Sequence, residues 1–149
     1  MNIWQQVLVY FYLLSSFAFF IKSLHETKNK KRAYGLTPYL FFLGAFVWGD
    51  VLVLGPFWIA STIFVLLLND WYLFLLIISI FWAIRSLGET IYWLNEQFAG
   101  KNRNPPHTLN FHKLIEGDAI WFVYQLFWQC VFVFSVIASI YIANLWLGS

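Results

Sequence analysis

Charge is scarce in this chain. Nine Lys and Arg and seven Asp and Glu make up 11% of 149 residues, where a soluble domain carries about 25%. Too few charged side chains exist to cover a wet surface. The net charge of +2 is also too small to attract nucleic acid, so no such partner is expected. A single cysteine, Cys130, sits in an apolar run. That excludes an intrachain disulfide, a Cys-x-x-Cys centre and thiol–quinone redox chemistry by this chain alone. No histidine falls inside an apolar segment, which argues against intramembrane b-type haem. No lysine lies deep enough in one for a retinal Schiff base, and the sequence holds neither a glycine-rich phosphate loop nor a serine-nucleophile elbow. No cofactor is expected.

Apolar and aromatic residues fill the space that charge leaves. The chain is 61% hydrophobic, with 17 Phe, 9 Trp and 8 Tyr and a mean hydropathy of +0.68. Four long apolar segments stand out, at approximately 3–24, 38–68, 71–98 and 114–147. The first is about 33 Å long as a helix, enough to cross a hydrocarbon core of about 30 Å. No positive charge precedes it, no small-x-small cleavage site follows, and the basic residues come after it, so it reads as a retained helix. The second, about 46 Å if wholly helical, is too long to cross upright and must tilt, kink or protrude. Gly55-Pro56 marks the expected helix break, because proline lacks an amide and crowds the carbonyl four residues back, at Leu52. Gly49 adds to that break. Asn69-Asp70 is a tight turn, and Trp71-Tyr72 are interfacial anchors for the third span. The expected fold is all-α, an antiparallel four-helix transmembrane bundle forming a single domain over residues 1–149.

Orientation follows from where the cations lie. Eight of the nine Lys and Arg residues fall in or beside the stretches 25–37 and 99–113. The positive-inside rule puts both basic loops in the cytoplasm and both termini outside, most simply in the cell membrane. The lipid bilayer is therefore the first partner, with anionic headgroups attracted to the basic loops. A homo-oligomer or a larger membrane complex is the natural setting for so small a chain.

Arg85 is the remaining cation, and it marks the candidate site. Glu89 is four residues on, so the two share a helix face. At 1.5 Å per residue Arg85 lies about 21 Å into the third span, some 10 Å short of the inner boundary. Asp50, Gln125 and Ser16 fall near the same depth by the same count, with Glu89 just below and Gln129 one turn further. The expected intramembrane polar site is Asp50, Arg85, Glu89, Gln125 and Gln129, lined by Trp82, Tyr92, Glu96, Asp118 and Trp121. Polar residues in lipid should turn toward the bundle. His107, His112 and Glu116 are lesser candidates for a metal, and a hydrated loop with incidental histidines explains them better; no metal is expected.

Three functions fit such a site. The acids outnumber Arg85, and an excess carboxylate at membrane depth can exchange protons or hold a cation, so the leading expectation is a channel or transporter for a small ion or proton. The first alternative is a membrane-embedded enzyme acting on a lipid or isoprenoid, with Asp50 or Glu89 as acid or base and Arg85 holding a phosphate. The second is a structural or accessory subunit in which the charges only fix helix register.

Overall fold

The computed structural model describes residues 1–99, 103–115 and 117–148 of the chain. Four long helices account for most of it: α1 (Ile3–Glu26), α2 (Trp48–Leu68), α3 (Trp71–Phe98) and α4 (Ala119–Leu147). The class is all-α, and no strand occurs among the described residues, only an isolated bridge between Leu36 and Val47. All four helices are long and apolar enough to cross a membrane, as an integral membrane protein requires. The chain divides into two compact units, Met1–Ile77 and Ile78–Ser149, with the boundary inside α3.

In the first unit α1 and α2 run antiparallel. Gln6 at the start of α1 donates to the Asn69 side chain just past α2 (3.0 Å), and Lys22 near the end of α1 sits 4.9 Å from the ring centroid of Trp48 at the start of α2. The buried residues of α2 are Trp48, Val51, Gly55, Trp58, Thr62 and Val65. Their alternating spacing of three and four is the seam of a helix packed along its length. The opposing residues of α1 are Val9, Ser16 and Ser23, seven apart and fully buried. Between lipid-exposed helices there is little hydrophobic drive to associate, so small residues that admit close packing decide where they touch. The hydroxyls need no partner across the seam: Ser16 donates to Tyr12 O, Ser23 to Phe20 O and Thr62 to Trp58 O.

The expected second span, 38–68, is divided. Pro38–Leu43 forms a 3-10 helix, Gly44 turns the chain at φ 69, and the α-helix begins only at Trp48. The excess length predicted for this segment is absorbed by doubling back. Tyr12, the tenth residue of α1, donates to the carbonyl of Phe42 (3.0 Å). Trp58, about 15 Å along α2 from its start, donates through Nε1 to the carbonyl of Leu43 (3.0 Å). The segment Pro38–Val47 thus doubles back alongside the middle turns of both helices, as a re-entrant stretch would. Irregular backbone is tolerated at that depth only when it is buried in protein or faces water. Here Thr37, Leu40, Leu43 and Ala45 are buried while Tyr39, Phe41 and Phe42 stay exposed, and the returning chain is pinned where Thr37 N donates to Phe46 O.

Two sequence expectations change accordingly. No break occurs at Gly49 or at Gly55-Pro56, because α2 runs through both to Leu68. The interruption falls earlier, at Gly44, where a left-handed backbone ends the 3-10 helix. Asp50 is not deep in a helix. It lies in the first turn of α2, where Oδ2 accepts the amides of Phe46 (2.9 Å) and Val47 (3.4 Å) and so stabilises the exit of the re-entrant segment. Asp50→Ala is expected to cost about 1 kcal/mol, and Asp50→Asn, which keeps an acceptor, less. Unfolding midpoints of the detergent-purified variants check this; equal losses would assign the effect to the charge instead.

In the second unit α3 and α4 are antiparallel. Ser139 near the end of α4 donates to Ser79 early in this part of α3 (3.0 Å), and Gln97 at the end of α3 donates to Gln125 near the start of α4 (2.7 Å). The fourth span also begins later than expected, at Ala119 rather than near 114, because Gly117 takes a left-handed φ of 61 and residues 111–114 form a separate turn.

Candidate functional site

The charged pair is formed. Arg85 Nη2 and Glu89 Oε1 are 2.9 Å apart, one helical turn apart on α3, with 24% and 15% of their side chains exposed. The i, i+4 spacing on one helix brings the two side chains within reach of each other. Below it, Ser86 and Thr90 are buried and their hydroxyls bond back to the α3 backbone. Trp82 is half-buried, edge-on to Phe81.

Two turns further, at the end of α3, lies a second polar cluster. Glu96 is 3% exposed, and its Oε2 accepts the backbone amides of Arg103 and Asn104, both at 2.9 Å. Asn104 donates from its side chain to the Tyr92 hydroxyl, and its carbonyl accepts from Trp121 Nε1 at 2.9 Å. The carboxylate therefore organises the chain after α3 and ties it to the first turn of α4. Tyr92, Asn95, Glu96, Ala99 and Arg103 line a cavity of about 260 Å³ there. Trp93, on the neighbouring face, stacks on Tyr124 with centroids 4.6 Å apart, and its buried Nε1 has no hydrogen-bond partner.

The residues expected to form one layer are distributed as follows. Arg85 and Glu89 meet each other; Tyr92, Glu96 and Trp121 meet through Asn104; Gln125 meets Gln97. Gln129 lies partly exposed one turn beyond Gln125 on α4. Asp118 is the N-cap residue of α4 and makes no side-chain capping bond. Asp50 belongs to the first unit, at the start of α2. His107 sits in the short turn Pro106–Thr108, and His112 Nδ1 is 2.9 Å from Leu109 O. Glu116 lies outside the described residues, and among those described no group of three metal-type side chains occurs.

Asn104, Arg103 and Gln97 were not read from the sequence as site residues. Gln97 could have been found, since it is one of two amide side chains, with Asn95, in the last turn of α3. Arg103 and Asn104 could not, because their amides are recruited by a carboxylate seven and eight residues earlier.

No family model, curated protein or solved structure matches the chain.

Proposed function

We propose that this protein moves a small ion, a proton being the simplest candidate, through the membrane. The observation that carries the reading is the re-entrant segment Pro38–Val47, held against the α1–α2 pair by Tyr12 and Trp58. Interrupted backbone inside a span is the arrangement by which transport proteins bring carbonyls and helix ends to an ion. A second feature supports it. The Arg85–Glu89 pair lies in the interior of a spanning helix, and both side chains keep some exposure. A carboxylate there can exchange a proton while the neighbouring guanidinium limits the cost of its charged form. In this reading both basic connections face the cytoplasm, both termini face outward in the cell membrane, and the basic stretch around Lys28–Arg32 contacts anionic headgroups. Copies of the chain assemble around the pathway.

Purified protein in liposomes should dissipate an imposed pH gradient, and Glu89→Gln should reduce that flux by an order of magnitude or more. Tyr12→Phe, which frees the re-entrant carbonyl at Phe42 without emptying the packing, should alter the flux while leaving the fold intact. A wild-type protein that passes neither protons, sodium, potassium nor chloride would remove the proposal.

A further inference from the structure

The cavity at the end of α3 holds two opposite charges that do not neutralise each other. Glu96 is nearly fully buried, its Oε2 is occupied by two backbone amides, and its Oε1 makes no hydrogen bond among the described residues. Arg103 is exposed and its side chain forms no ion pair among the described residues. Both line the same space of about 260 Å³, together with Tyr92, Asn95 and Ala99. The walls are fixed, because Glu96, Asn104, Tyr92 and Trp121 are bonded in one chain.

A single ion fits this cavity poorly. An anion drawn to Arg103 would meet the buried carboxylate, and a cation drawn to Glu96 would meet the guanidinium. A zwitterion satisfies both. The position restricts which one: Glu96 lies in the last turn of a spanning helix, flanked by Tyr92, Trp93 and Trp121, the aromatic belt of an interface. At that level the abundant zwitterions are lipid headgroups. We propose that this cavity binds a phosphoethanolamine headgroup, with the phosphate on Arg103 and the primary ammonium on Glu96 Oε1. Guanidinium is suited to a phosphate by its planar fork of donors. A primary ammonium has protons to give to Oε1, whereas a choline headgroup has none. A serine headgroup would add a carboxylate beside the buried Glu96. The volume matches roughly eight or nine waters at about 30 Å³ each, enough for a headgroup of eight non-hydrogen atoms. This site stands apart from the Arg85–Glu89 pair and does not depend on the transport reading.

The test uses the full chain in nanodiscs made from equal parts of phosphatidylethanolamine, phosphatidylcholine and phosphatidylglycerol. Lipid retained after detergent extraction is then counted by native mass spectrometry. Phosphatidylethanolamine should be enriched over both others, and Arg103→Ala, which leaves the backbone amide on Glu96 but removes the phosphate's partner, should lower retention of the lipid by roughly tenfold, the scale of one charge-assisted hydrogen bond. Glu96→Gln, which removes the charge that meets the ammonium, should abolish the preference for phosphatidylethanolamine over the other two. Soluble phosphoethanolamine that displaces the retained lipid would show that the headgroup suffices. Failure to displace it, with enrichment intact, would show that the acyl chains contribute, and the lipid itself is then the ligand. Equal retention of the three lipids, enrichment of phosphatidylglycerol, retention unchanged by Arg103→Ala, or a preference unchanged by Glu96→Gln would each overturn the proposal.

Discussion

Trp58→Ala is expected to be the most damaging single truncation in the first unit, costing about 3–5 kcal/mol. The indole is fully buried in the α1–α2 seam, edge-on to Tyr12 at 5.1 Å, and its Nε1 holds the carbonyl of Leu43. Removing it empties the largest buried side chain and also frees the re-entrant turn. Trp58→Phe separates the two effects. Packing is largely kept, and what is lost is the hydrogen bond, about 1–3 kcal/mol if the Leu43 carbonyl finds no replacement. Unfolding in mixed detergent micelles, followed by tryptophan fluorescence of the other eight indoles, gives both numbers. Proteolysis at Pro38–Val47 should rise for both variants. A Trp58→Ala protein with wild-type stability would mean that the re-entrant segment is held by something other than this side chain.

The second large effect is expected at Gly55. A Cβ built there would lie 2.9 Å from both Cβ and Cδ2 of Phe20, and Cβ cannot swing away as the end of a flexible side chain could. Gly55→Ala gains up to about 1 kcal/mol of helix propensity. The overpacking it causes costs about 1–3 kcal/mol, so the clash wins. Gly55→Leu should prevent the α1–α2 seam from closing, seen as loss of monodisperse protein on size exclusion. Gly88 is the control. It lies inside α3 with nothing within 4 Å of an added Cβ, so Gly88→Ala should be neutral or stabilising by up to about 1 kcal/mol. If the two alanine variants behave alike, close packing at Gly55 is not what the helix pair depends on.

These two sites show why hydropathy alone did not locate the seam. Nearly every residue of α2 is apolar, so its hydrophobicity carries no direction. Lipid and protein neighbours are equally apolar, and the residues that choose between them are the small and hydroxyl-bearing ones: Gly55 and Thr62 on α2, Ser16 and Ser23 on α1. Spacing of three and four at Trp48, Val51, Gly55, Trp58, Thr62 and Val65 was present in the sequence. Only the packing singled it out.

What the amino-acid sequence determined by itself is the class: few charges, four apolar stretches long enough to span, and a polar turn at Asn69-Asp70. Those features act locally, through the cost of placing unpaired backbone and charge in hydrocarbon. The spacing made an Arg85–Glu89 contact available, because two residues four apart share a helix face, while pairing of Arg85 with Asp50 was left equally open. The tertiary structure decided the rest. Residues 38–47 read as the first turns of a long helix, yet they double back, because Tyr12 and Trp58 offer donors to carbonyls that a helix would have satisfied internally. Asp50 read as an intramembrane charge, and its local role as the acceptor that restarts α2 after Gly44 interrupts the chain came only from the fold. Glu96 read as a lining residue, and became a buried anchor for two amides beyond the helix end. In each case the fold decides which partner a polar group meets, and spacing alone does not encode it.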